Sequence, residues 1–411
     1  MKVAVIGGGP SGMMAAYVAA SNGADVTLLE RNEKLGKKMY ISGKGRCNLT
    51  NDCTPREFVD NVATNGKFVI NALYKWSPQM VYDWCVGNGL PLKVERGNRV
   101  FPQSDKSSDV ISFFSRMLKS VGVKVALNSQ VSSIVCQENG FLLTTISDIV
   151  PQNENFDKVI VATGGVSYPL TGSTGDGLKF AKQSGHKVVP SRAALCRILC
   201  KDTADLEGLS LKNVQTSVVD KEGKTLASEF GEMLFTADGV SGPTVLTLSS
   251  KVNKCNLNGA KICIDLKPAL TSDKLDERVL RDFSERMNKN FNRSLDALLP
   301  QRLCDKVVSR CGIPAEQKVN QISAKQRSAL VGALKCLSFP IVRLDSVEHG
   351  IVTSGGVDVS QINPSTMESR LVQGLYFVGE LLDVDAYTGG FNIQIALSTG
   401  YTAGLAASQK E

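Results

Sequence analysis

The chain opens on Lys2-Val3-Ala4-Val5-Ile6-Gly7-Gly8-Gly9-Pro10-Ser11-Gly12, and the reading of this stretch decides the fold. Residues 2–6 are β-branched and apolar and end at glycines, which predicts a short buried strand. Gly7, Gly9 and Gly12 then stand at G-x-G-x-x-G spacing. Gly7 permits the tight strand-to-helix turn, Gly9 lets the backbone approach a pyrophosphate, and Gly12 lets the helix lie close on the sheet. The alanine-rich run from Met13 to Ser21 reads as that helix, whose first N–H groups and dipole suit phosphate oxygens. Asp25 to Glu30 reads as a second strand, with Glu30 placed to accept the hydroxyls of an adenosine ribose. An acid there favours an unphosphorylated ribose, hence FAD or NAD rather than NADP.

The far end of the chain separates those two cofactors. Lys158 to Ala162 is a further buried strand running into Thr163-Gly164-Gly165, and Gly374 to Glu380 is a strand ending in a glycine and an acid. Asp383, Gly389-Gly390-Phe391-Asn392 and a helical run from Ile393 to Gly404 follow. A helix start of this kind suits the electron-rich pyrimidine edge of a flavin, because its dipole stabilises negative charge on the reduced ring. Taken alone, these glycines would equally suit loops beside an N-cap. A nicotinamide needs no such second site, so the order of the motifs favours flavin.

Composition sets the outer bounds. The chain has 411 residues, 42% hydrophobic and 21% charged, which suits two domains and excludes a disordered, collagen-like or membrane-bundle chain. Glycines 7 to 9 break the N-terminal apolar stretch where a signal peptide needs continuity, so a cytoplasmic location is expected. The eleven cysteines include no C-x-x-C pair and read as scattered single thiols; with only two histidines, no metal site is expected. A net charge of +7 is compatible with RNA without requiring it.

Gly43-Lys44-Gly45-Arg46-Cys47-Asn48-Leu49-Thr50-Asn51 resembles the signature of the HI0933-like (YhiN/BaiN-type) flavoproteins. The likeness extends through Gly172 to Gly177, Phe235-Thr236 with Ser241-Gly242-Pro243, and Val352 to Val357. It ends with Gly379 to Asp383 and Thr388 to Gln394. It implies an α/β fold: a discontinuous Rossmann-type, glutathione-reductase-like FAD-binding domain with an inserted β-barrel plus helical domain. The segments expected are 1–190 and 345–411 for the FAD-binding domain and 191–344 for the insert, with 191–268 barrel-like and 269–344 helical. The residues agree independently, since short alternating stretches with turn signals fill 195–266 and helical periodicity fills 272–337. One departure stands out: the family pattern often carries a histidine where this chain has Ala237 followed by Asp238, so no role resting on that histidine carries over.

The cofactor contacts implied are Gly7, Gly9, Pro10, Ser11, Gly12, Glu30, Arg31, Lys37, Gly43, Gly45, Arg46, Cys47, Val131, Ala162, Thr163 and Gly164 from the first part. Gly379, Glu380, Asp383, Gly390, Phe391, Asn392 and Ile393 complete the set. Read physically, Lys37, Lys38, Lys44 and Arg46 surround a glycine-rich loop with cations suited to a diphosphate, or else form a solvated basic loop. Cys47 beside Arg46 is the candidate catalytic residue: a stabilised thiolate would make its thiol an acid or nucleophile near neutral pH, and as an acid it could protonate carbon; the alternative is a small residue packed under the flavin. Arg96, Arg99 and Tyr168 fall in loops beside the motifs.

The expected activity is an FAD-dependent oxidoreductase, fuelled by NADH or NADPH docking transiently, that reduces an activated C=C bond. The acceptor would be a small enone or a uridine of ribosomal RNA. A flavin-dependent oxidase using oxygen, and a non-catalytic redox sensor, are the alternatives. Arg278, Arg281, Arg286, Lys289 and Arg293 form a basic cluster that would suit RNA, but interleaved acids make it equally a solvated helix face.

Overall fold

The computed structural model describes residues 1–409. The chain divides into two units, Met1–Ala194 with Ser346–Glu411, and Leu195–Asp345.

The first unit is built on a parallel five-stranded sheet. Its order is Leu375–Phe377, Lys158–Val161, Lys2–Ile6, Asp25–Leu29 and Lys124–Ala126. The opening strand is central, in register with Asp25–Leu29 on one side and Lys158–Val161 on the other. Val3, Ala4 and Val5 are fully buried, which explains the unbroken apolar run: a central parallel strand is covered on both faces. The helix Pro10–Ser21 follows at once, with proline in its first turn. The C-terminal helix Phe391–Ala407 lies against it. A side-chain carbon at Gly400 would fall 2.3 Å from the Ser11 carbonyl oxygen, and one at Gly404 2.5 Å from that of Ala15. Glycine therefore lets the two helices touch backbone to backbone, and the two ends of the chain meet.

The second unit carries a closed barrel of Ile198–Cys200, Gly239–Ser241, Thr225–Thr236, Ser210–Val219, Lys261–Asp265 and Leu337–Leu344. Helices Ser272–Ser284, Gln301–Cys311 and Ala324–Lys335 precede the last strand. Two sequence expectations need correction here. Residues 337–344, read with the helices, form the strand that closes the barrel by pairing with both Lys261–Asp265 and Ile198–Cys200. The cysteines are not all single thiols: Cys263 and Cys336 form a disulfide, with Cα atoms 5.1 Å apart. Among the described residues, no helix is long and apolar enough to cross a membrane, and no group of three or more His, Cys, Asp or Glu could hold a metal ion.

Candidate active site

The glycines of the opening loop divide by what surrounds them. A side-chain carbon at Gly12 would stand 1.9 Å from the Gly7 carbonyl oxygen, and Gly7 itself, at φ 109°, passes 2.5 Å from the Ala162 carbonyl oxygen on the same measure. Both are glycine because backbone closes on them. Gly9 differs, since a carbon there would meet nothing within 4 Å beyond its chain neighbours. Its bareness preserves clearance above the helix start, where the first-turn N–H groups lack intrahelical acceptors. That cradle fits a diphosphate.

Around it, Glu30 is buried and folds back on the loop. Its carboxylate accepts from Gly8 N at 2.6 Å and from Asn32 N at 2.8 Å. The backbone of 128–129 runs alongside, with Ser129 N donating to Glu30 O, and leads to buried Val131. Ala162, Thr163 and Gly164 follow the strand Lys158–Val161, and Ala162 N donates to Ile6 O.

At the C-terminal end, Gly379 adopts φ 69°, and a side-chain carbon there would lie 2.6 Å from Ser11 Oγ. Glu380 accepts two hydrogen bonds from Lys38 Nζ (2.8 and 2.7 Å), one from Ser167 Oγ (3.1 Å) and one from Thr353 N (2.8 Å). Ser167 was not singled out in the sequence, and Thr353 only within the Val352–Val357 stretch. The signal that could have drawn attention to Thr353 is Gly355-Gly356, both at positive φ in the same buried strand. Asp383 is buried and joined to Asn65. Gly390, at φ 99°, caps the C-terminal helix, and a carbon there would lie 2.2 Å from Thr50 O. Asn392 locks this start by bonding both Ala386 N (2.9 Å) and Ala386 O (2.7 Å). Buried Phe391 stands edge-on to Phe58, and Ile393 completes the first turn, whose N–H groups face outward from the helix end.

The basic loop departs from expectation. Arg46 forms a two-pronged pair with Glu95 (3.0 and 2.8 Å), bonds Asp105 at 3.1 Å, and stacks 4.0 Å over the Phe101 ring. Glu95 holds the guanidinium charge more firmly still. Lys37 is joined to Glu33 and Asn32, and Arg31 to Asp176 and Thr174. Gly43 and Gly45 keep the loop left-handed, and Cys47 adopts φ 59°.

Cys47 is fully buried, and burial pushes its thiol up to about 12, a hydrogen bond from Ser42 working weakly the other way. Of the two readings of Cys47, this favours the packed side chain over the stabilised thiolate. With Arg46 turned to carboxylates and the side chain fully buried, desolvation outweighs the Ser42 hydrogen bond and disfavours the anion. Cys47 is a packed core residue.

The fold and site define a class, the dinucleotide-binding flavoenzymes, and comparisons with known proteins narrow it. The family described as HI0933-like protein Rossmann domain matches residues 1–406, and the chain belongs to it. This is a family of FAD-dependent oxidoreductases. The chain is 30% identical over 420 residues to a 3-dehydro-bile acid delta(4,6)-reductase of Clostridium scindens, covering 100% of this chain and 99% of the relative. It is 29% identical over 411 residues to a ribosomal RNA dihydrouridine synthase of Haemophilus influenzae, covering 99% and 98%. Among solved structures, a flavocytochrome c3 fumarate reductase shares the fold with a TM-score of 0.54 at 20% identity, covering 99% of this chain and 78% of the other. A 3-ketosteroid-delta4-(5alpha)-dehydrogenase of Rhodococcus jostii does so with a TM-score of 0.54 at 15% identity, covering 99% and 96%.

Proposed function

We propose that this protein is an FAD-dependent reductase of a carbon–carbon double bond conjugated to a carbonyl, drawing its electrons from NADH or NADPH. The observation that carries the reading is full-length similarity to a bile-acid C=C reductase, in a chain that keeps a clear diphosphate cradle at Gly9. Bound reduced FAD supplies a hydride to the electron-poor carbon of such a bond.

The chain's own residues have separable tasks in this reading. The first turn after Gly9 binds the diphosphate, and Glu30 orients the adenosine ribose. The Phe391–Ala407 helix start holds negative charge at the pyrimidine edge, and Asn392 fixes its direction. Lys38, Ser167 and Thr353 hold Glu380 in one orientation beside Gly379. The carbon next to the reduced position also needs a proton. Burial pushes the Cys47 thiol up to about 12, which matches it poorly to that transfer at neutral pH.

A second acceptor is favoured by the names of relatives from Haemophilus influenzae and Escherichia coli, both ribosomal RNA dihydrouridine synthases. The C5–C6 bond of uracil is likewise conjugated to a carbonyl, so the same chemistry would serve. The helical basic cluster gives this reading little support, because Arg278 pairs with Asp282 and Arg286 with Asp296.

Anaerobic reduction of the purified protein by NADPH or NADH, followed by a 3-oxo-4,6-diene steroid, tests the proposal. Acceptor-dependent reoxidation supports it. Reoxidation by oxygen alone, at catalytic speed, favours an oxidase, and a flavin that no acceptor discharges favours a sensor.

A further inference from the structure

We propose that Arg96 and Arg99, at the tip of the hairpin Leu92–Glu95 to Arg99–Pro102, form a receptor for an oxyanion, carboxylate or phosphate, carried by the molecule the enzyme reduces. The inference rests on the flavin-site reading above and adds to it the charge of the acceptor.

The hairpin is bolted to the helix start assigned to the pyrimidine edge. Asn51 stands directly opposite Arg99 in an antiparallel pair, so the two side chains leave on one face. The Asn51 amide donates to Gly389 O at 3.0 Å and to Gly97 O at 3.1 Å, joining the hairpin tip to the residue just before the capping Gly390. Asp52 N donates to Asn98 O at 2.7 Å. Gly97 and Asn98, at φ 77° and 57°, make the tight left-handed turn that keeps the two arginines adjacent. Arg99 Nε donates to Arg96 O at 2.9 Å. Phe101, two residues on and on the same face, lies against the 42–47 loop, for a carbon at Gly43 would meet its ring at 3.3 Å.

Charge singles these arginines out. Glu95 faces Arg99 across the hairpin, but both its oxygens are bound by Arg46, and Asp105 is shared between Arg46 and Lys93. Among the described residues, neither Arg96 nor Arg99 has a carboxylate partner, and Arg96 is exposed. Two neighbouring guanidiniums repel one another, and the helix start beyond Asn51 adds positive potential of its own. Two guanidiniums carried three residues apart on one rigid turn, with no carboxylate partners, are suited to the oxygens of a carboxylate or phosphate.

The test measures binding by calorimetry on FAD-loaded protein with two matched pairs of probes: uridine 5′-monophosphate against uridine, and a 3-oxo-4,6-diene bile acid against its methyl ester. The charged member of one pair should bind roughly tenfold tighter or more. The pair that shows the difference identifies phosphate or carboxylate as the source. Arg96→Gln combined with Arg99→Gln should erase that preference and leave the neutral probe unchanged. Arg96→Gln alone, which removes no side-chain hydrogen bond or ion pair among the described residues, should remove part of it. No preference in either pair, or one untouched by both variants, overturns the proposal. Flavin content is read separately from the visible spectrum, so failure of the oxyanion receptor is distinguishable from failure of the flavin reading.

Discussion

Two glycine-rich loops of the first unit, 7–12 and 43–47, resemble each other in sequence and differ in what they do. In the first, positive potential comes from backbone N–H groups at a helix start, and the glycines are dictated by clearance and close approach. In the second, the conspicuous charge is Arg46, and it is engaged by Glu95, Asp105 and the Phe101 ring. A glycine pattern constrains geometry directly, because its cause is local and steric. A cation's role depends on which carboxylates the fold brings to it, and these lie dozens of residues away.

Substitutions can break this contrast, beginning with the largest effect. Gly12→Ala forces a carbon into the Gly7 carbonyl, and we expect a loss of about 3 kcal/mol or more, seen as insoluble or flavin-free protein. Gly9→Ala enters clear space in the protein itself. It should fold with nearly unchanged thermal stability yet bind FAD at least roughly tenfold more weakly by fluorescence titration. If Gly9→Ala retains full FAD affinity, the cradle has been misassigned.

The second loop should respond in the opposite sense. Arg46→Met removes a partly exposed ionic network and should cost about 1 kcal/mol in denaturant unfolding, with FAD affinity changed less than about threefold. Cys47→Ala should leave turnover within about twofold at pH 7, because a thiol held near 12 contributes no anion there. Its effect should instead emerge in alkali. The unfolded thiol ionises near 9 while the native one resists to about 12, so its contribution is whole below 9 and is lost as pH rises toward 12. Cys47→Ala should therefore flatten the fall of stability over that window, measured by urea midpoints.

Much of the frame was legible because its causes are local. The run Lys2–Ile6, the glycine spacing and the terminal Glu30 each report a steric or hydrogen-bonding demand that a short peptide already carries. The C-terminal helix was visible from Ile393 onward, though its true start at Phe391 depends on Gly390 packing against Thr50. What was not legible is non-local. Leu337–Leu344 becomes a strand because Lys261–Asp265 and Ile198–Cys200 offer it two edges, and nothing in its neighbouring helices announces them. The helix Pro243–Val252 within the β-rich stretch could have been found from Pro243 at its first turn. The choice between the two readings of Cys47 was not legible because its neighbour in sequence, Arg46, is not its electrostatic environment in space.

The central claim is that one FAD is gripped by both ends of the chain, and the most direct measurement is the visible spectrum and flavin stoichiometry of the purified, FAD-supplemented protein. The account predicts one FAD per chain with flavin absorption bands, an affinity lost on Gly9→Ala, and bleaching by NADPH or NADH under anaerobic conditions. Colourless protein that takes up no FAD, or an affinity indifferent to Gly9, would contradict it.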